Sequence, residues 1–270
     1  MQTRKITAFL VRDFLWDLSY PLSFFWRGSS IFFNLITFYF LGYLVSGATT
    51  GYLSGYGGGG YFPFVLVGLA LSAFQGVALN SISSAIQYGM YTGTLEAMLV
   101  TPTSLSTIVF SSVLYQFVSS LLNILIYLFF GALLFGFSLA KANLLSAVVM
   151  LALSLLAHLP LGIFSASFLL VFKRGDPVTS LVGSFSALLG GVYFPLAVLP
   201  GWLQTVSLFL PFTHALEGLR QAVLNGRGLL ELTTQVAVLS IFAIVLLPLS
   251  LAVFAYAIHQ AKRLGTLSQF

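Results

Sequence analysis

Apolar residues dominate this chain in long blocks, and the polar residues between the blocks mark its turns. Residues 28–95, 97–140 and 177–216 contain no charged side chain. Each run exceeds the roughly 20 apolar residues that one helix needs to cross a bilayer core of about 30 Å. Breakers and polar clusters divide the blocks into six predicted spans. They cover about 30–45, 61–86, 104 to between 131 and 136, 144–172, a stretch beginning at Val178, and 232–258. The third span must stop near Gly131 to Gly136, because a helix carried on to Leu139 would be about 50 Å long at about 1.5 Å per residue.

The stretches between the spans predict the rest of the architecture. Arg4, Lys5, Arg12 and Arg27 alternate with Ile6, Phe9, Leu10, Phe14 and Leu18. This pattern predicts an amphipathic helix over 1–28 along the cytoplasmic interface, with Trp16 and Trp26 at headgroup depth. Asp13 and Asp17 fall on its apolar side, where they either meet a partner or reach back to water. Tyr20-Pro21 is expected to break this helix before the first span. Residues 46–60, closing on glycines 57–60, read as a flexible external loop. Between spans two and three, 87–103 carries Glu96, the only charge between Arg27 and Lys141. Thr94 can cap a short helix there, and Glu96 then lies near its positive end. Thr101-Pro102 starts the next helix. The stretch predicts a short cytoplasmic helix presented for a partner to grip.

Further on, Lys141 and Asn143 make a turn, His158 and Pro160 predict a kink in span four, and 173–177 is a tight polar turn. The fifth span meets Pro195 early. Leu199, Leu203, Val206 and Leu210 then recur at helical spacing, Pro211 interrupts, and an amphipathic piece over 212–225 stops at Gly226. Residues 196–228 are thus expected to form a re-entrant helical hairpin dipped into the outer leaflet. The fold class is an all-α membrane protein: an interfacial helix over 1–28, then a six-helix transmembrane domain over 29–270.

Composition agrees. The chain is 59% hydrophobic and 6% charged, against about 25% charged residues in soluble domains. Its net charge of +5 records loop orientation rather than a nucleic-acid partner. With both termini in the cytoplasm, the inner segments hold Arg4, Lys5, Arg12, Arg27, Lys173, Arg174, Lys262 and Arg263. The outer segments hold Lys141, Arg220 and Arg227. This asymmetry predicts a multi-pass protein of the plasma (inner) membrane. There is no cysteine, so disulfides and thiolate catalysis are excluded. The apolar run 6–11 is too short for a cleaved signal peptide.

The candidate chemistry is sparse. No Asp, Glu, Lys or Arg lies near the middle of a predicted span, which argues against a transporter driven by an ion gradient. His158 is the one ionisable group there, and it reads as a helix-packing hydrogen bonder. Glu217 and Arg220, three apart on one helix face, are expected to pair locally. No lysine follows a glycine, so the chain has no phosphate-binding loop. A His-Glu-x-x-His metal motif is also absent. The rings of Phe38, Tyr39, Tyr43, Phe62, Phe64, Phe74 and Tyr193 either face lipid or line a pathway. The energy source is expected on a partner.

Gly93-Thr94-Leu95-Glu96, followed by an apolar run and Thr101-Pro102, resembles the stretch between spans two and three in the permease subunits of type-2 ABC exporters. The stretch 191–195 (Gly-Val-Tyr-Phe-Pro), Leu199-Pro200, Trp202-Leu203 and 211–220 (Pro-Phe-Thr-His-Ala-Leu-Glu-Gly-Leu-Arg) are similar to that family's fifth span and outer hairpin. The family has Asn-Pro where this chain has Leu210-Pro211, so no role of that Asn transfers. The resemblance implies a permease that pairs with a second copy, as a homodimer, and with two cytoplasmic ATPase subunits. Gly93, Thr94, Leu95 and Glu96 would then sit at the ATPase groove. Pro195, Trp202, Pro211, Glu217 and Arg220 would shape the outer exit.

By the same resemblance the chain binds no cofactor or metal and is not itself catalytic; ATP and magnesium belong to the partner subunit. The expected function is export of a hydrophobic or amphipathic solute or lipid, in contact with membrane lipids. A lipid-linked polysaccharide is the alternative cargo. A passive channel or scaffold without an ATPase, and an intramembrane enzyme, are the other classes.

Overall fold

The structure is a computed structural model that describes residues 7–8, 10–12, 14–15, 18–53, 55–56, 60–91, 105–172 and 177–263. All regular structure among the described residues is helical, which satisfies the backbone groups within each segment where lipid offers them no partner. In chain order the helices are α1 (Pro21–Leu53), α2 (Tyr61–Tyr91), α3 (Leu105–Phe135), α4 (Leu144–Phe172), α5 (Pro177–Leu189), α6 (Gly201–Leu208), α7 (Pro211–Leu224) and α8 (Thr233–Arg263). Among the described residues five contain stretches apolar and long enough to cross a bilayer: 25–45, 61–89, 113–135, 144–172 and 233–260.

The chain leaves helix at Ser19 and Tyr20, and α1 starts on Pro21, a position where the missing N–H costs nothing. The far end of α1 differs from expectation. Ser46 to Leu53 stays helical instead of opening the predicted loop at 46. Leu53 is buried, and the Tyr56 N–H donates to its carbonyl at 3.0 Å. This tertiary anchoring outweighs the loop-favouring Ser, Gly and Thr residues.

α2 is the most enclosed of the long helices; Phe64, Val65, Leu66 and Leu71 are fully buried. Its neighbours approach closely. A Cβ on Gly162 of α4 would collide with the carbonyl oxygen of Ala78, and one on Gly131 of α3 would meet Leu66. Such small-residue contacts let membrane helices pack backbone to backbone. α3 ends where the length argument places it. Gly136 adopts φ +69°, and the Phe137 N–H returns to the Gly131 carbonyl at 3.0 Å, a helix stop that favours glycine. Asn143 caps α4 through Oδ1, which accepts from the Ser146 N–H at 3.1 Å. α4 continues helical through Pro160.

The fifth predicted span departs from expectation. α5 has 13 residues, about 20 Å at about 1.5 Å per residue, and it stops at Leu189, well before Pro195. Gly190 lies so close to the Phe212 ring that a Cβ there would overlap it, and Gly191 takes φ +82°. The glycine pair, rather than the proline, ends the helix.

A candidate functional site around Arg220

α7 carries the site. It starts on Pro211 and ends before Gly226, which has φ +70°. Eleven of its fourteen residues are buried, because it sits among α2, α4 and α8. Phe212 meets the His158 ring edge-on with centroids 6.1 Å apart. Further along, Gly218 allows the Met150 side chain to cross. At the helix end the Asn143 N–H donates to the Ala222 carbonyl at 2.9 Å. α7 therefore runs alongside α4 from its middle to its start.

Arg220 is 2% exposed and spends its guanidinium on backbone. Nε and Nη2 donate to the Phe64 carbonyl at 3.1 and 3.0 Å. Nη1 donates to Gly191 O at 2.8 Å, and Nη2 also to Val192 O at 3.1 Å. The Phe64 ring lies beneath the cation, 3.4 Å from centroid to Cζ, an attraction that strengthens where water is excluded. Gly68 makes room for this cluster: its Cβ would lie 2.8 Å from Val192 O and 3.0 Å from Nη2 of Arg220. One side chain thus ties α7 to α2 and to the 190–193 segment, using the planar five-donor fork that only arginine has.

The expected local pair between Glu217 and Arg220 does not form. Glu217 instead accepts from Tyr56 Oη at 2.7 Å and from Gln221 Nε2 at 2.8 Å. The cause is competition: three buried carbonyls, two of them outside any helix, take the guanidinium, whereas half-buried Glu217 accepts from the Tyr56 phenol. Burial, and then the Glu217 charge, push the Tyr56 phenol up from its ordinary range, so it stays a neutral donor. Asn225 Nδ2 adds a bond to the Gly55 carbonyl at 2.8 Å. The ion pair that does form nearby is exposed, between Arg227 and Glu231 at 3.8 Å.

The other predicted site residues are scattered. Pro195 is buried and precedes a short 3₁₀ turn, Leu196–Val198. Pro211 is the buried first residue of α7. Trp202, on α6, is 69% exposed and stands apart from the Arg220 cluster. Gly93, Thr94, Leu95 and Glu96 lie outside the described residues. His158 is fully buried, but its bond stays within α4: Nδ1 donates to the Ser154 carbonyl at 2.7 Å, and Nε2 has no hydrogen-bond partner among the described residues, so the expected bond to a neighbouring helix is not formed. Of the rings considered for a pathway, Phe62, Phe64 and Phe74 are buried within this chain, and Phe38 stacks on Tyr193 at 5.4 Å. Tyr43 is exposed.

Sequence reasoning missed Tyr56, Phe64, Gly68 and Asn225 as partners of the site. Of these only Gly68 carried a signal, since a glycine inside an apolar helix often marks a close backbone approach.

A comparison with curated proteins returned no match. A family model described as ABC-2 type transporter matches residues 6–224, a range that holds the 93–96 stretch, the Arg220 cluster and most of the helices above. The chain therefore belongs to the ABC-2 type transporter family: it is the transmembrane permease component of a type-2 ABC transporter, not itself catalytic, and its membership implies association with ABC ATPase subunits.

Proposed function

We propose that this chain is the permease of an ATP-driven exporter, working as two copies with two ATPase subunits in the plasma (inner) membrane. The observation that carries this reading is the emptiness of the spans. Of the five long apolar stretches, four contain no Asp, Glu, Lys or Arg, and 25–45 holds only Arg27, near its start. A carrier coupled to an ion gradient needs groups there to bind and release the ion. The work must then come from a partner, and the family supplies an ATPase carrying ATP and magnesium.

In this reading both termini are cytoplasmic, and 87–103 is the coupling segment, with Gly93, Thr94, Leu95 and Glu96 against the ATPase. α5 and the turning 190–195 segment together make the fifth crossing in chain order, which brings the total to six. Residues 196–228 form the re-entrant hairpin, supported by the contact of Phe212 with His158 near the middle of α4. Closing of the ATPases on ATP would move the coupling segments and change the packing of the two permeases. A hydrophobic or amphipathic solute or lipid would leave between them.

The test is a mild-detergent pull-down of the tagged chain, with its partners identified and ATP hydrolysis measured, beside the same experiment on Glu96→Lys. The expected result is a stoichiometric ATPase that the variant retains poorly. A chain that brings down no nucleotide-binding partner would point to a channel or scaffold instead.

A further inference from the structure

The start of α7 is a buried helix end without a side-chain cap. Leu210 stands at the N-cap position, where Ser, Thr, Asp or Asn would accept from an N–H of the first turn. Leucine has no acceptor to offer. The Thr213 N–H turns back to the Leu210 carbonyl at 3.1 Å, and Pro211 has no N–H to satisfy. That leaves Phe212. The residue is fully buried, and among the described residues no acceptor meets its N–H. Backbone donors enclosed in this way are rarely left without a partner.

Two side-chain atoms share that condition. Thr213 Oγ1 and His158 Nε2 are buried, and neither bonds to another group among the described residues. All three groups belong to one layer. The Phe212 ring meets the His158 ring edge-on, and α7 runs antiparallel to α4, with Gly218 at Met150 and Ala222 at Asn143. The first turn of α7 therefore lies beside the 154–158 turn of α4.

Their hydrogen-bonding characters are complementary. His158 Nδ1 donates to the Ser154 carbonyl, so Nδ1 carries the proton of the uncharged ring and Nε2 can only accept. The Phe212 N–H can only donate, and a hydroxyl such as that of Thr213 can do either. A water molecule can accept from the N–H while donating twice, and two to four such partners are what a buried water has.

We propose that an ordered water caps α7 from within the membrane, accepting from the Phe212 N–H and donating to His158 Nε2 and Thr213 Oγ1. Its oxygen then faces the positive end of the helix dipole. The water joins the helix that carries Arg220 to the middle of α4. His158 is a positioning residue here: it orients the water.

Solid-state NMR of the chain in lipid bilayers tests this on the native site. The chain has three histidines, so His214→Gln combined with His259→Gln leaves His158 as the one ring to label with nitrogen-15. Nε2 is expected to resonate as an unprotonated, hydrogen-bonded nitrogen and to receive magnetisation from water protons. A protonated Nε2 overturns the proposal. So does a hydrogen-bonded Nε2 that receives nothing from water, which would mean a direct bond to Thr213.

Two variants then place the water at the helix end. Thr213→Val keeps the shape and removes the hydroxyl, and the transfer from water to Nε2 is expected to weaken. Leu210→Asn supplies a side-chain acceptor to the first turn, and the transfer is expected to be lost. Thr213→Val is also expected to lower the melting temperature less in the Leu210→Asn background than alone. Transfer retained in full in either variant, or fully additive melting shifts, overturns the water as the cap of α7.

Discussion

Arg220 is held where an unpaired charge would be very costly, and the cluster tolerates it because all three guanidinium nitrogens donate to carbonyls, in four bonds, with the Phe64 ring beneath the cation. Arg220→Ala leaves the oxygens of Gly191 and Val192 without this donor, at about 1–3 kcal/mol for each buried acceptor, while the Phe64 oxygen keeps its place in the α2 ladder. The expected outcome is a large fall in melting temperature of the purified chain in detergent. Arg220→Lys should recover part of the loss, because an ammonium donates three bonds but lacks the planar fork. Equal melting of the Lys variant and the unmodified chain would show that charge alone, not the fork, matters. Glu217→Gln is expected to cost less, about 1 kcal/mol, since Glu217 is half-buried and a neutral amide still accepts from Tyr56. A loss as large as that of Arg220→Ala would mean that the carboxylate supports the guanidinium despite the missing direct contact.

The helices meet through glycines, and the surroundings of each glycine set what a methyl group does there. Gly162→Ala would push a Cβ into the Ala78 carbonyl and within 3.1 Å of Leu79 O, both backbone atoms that cannot swing away. A loss of roughly 1–3 kcal/mol is expected from such overpacking. Gly76→Ala meets nothing within 4 Å, and alanine there should be neutral or stabilising by up to about 1 kcal/mol. Gly218→Ala falls between them, because the methyl would meet the mobile end of Met150. Thermal unfolding of the three variants in one detergent checks the order, and a destabilised Gly76→Ala would contradict the open surroundings of α2 at that point. Element boundaries were largely legible where they depend on local physics. The stop of α3 near Gly136, the full extent of α4 and the glycine end of α7 follow from length, capping and φ. What the sequence could not show depends on contacts far apart in the chain. The helical 46–53 segment needs buried Leu53, the early stop of α5 needs the Phe212 ring, and the Arg220 cluster needs Phe64, which lies 156 positions away. An i, i+3 spacing made Glu217 the obvious partner of Arg220. Only the fold brings three carbonyls closer to the guanidinium.

Across the whole molecule, large apolar side chains remain exposed on the outermost helices. Examples are Phe33, Phe40 and Leu44 on α1, and Ile241, Ile244 and Val245 on α8. In water these faces would drive association; in a bilayer lipid or a second copy covers them. Orientation is then set by the basic residues, and the Arg220 cluster, the 136–143 turn and Gly226 all gather at the end opposite Arg263. A cysteine-free chain lets this be tested in cells with a membrane-impermeant maleimide. Ala140→Cys and Arg227→Cys, both exposed, should react in intact cells, and Arg263→Cys should react only once the membrane is opened. The inverse pattern would turn the hairpin toward the cytoplasm and carry 87–103 outside, beyond the reach of any ATPase. The exporter reading would then fail, while the helical packing around Arg220, which owes nothing to the direction of the membrane, would stand.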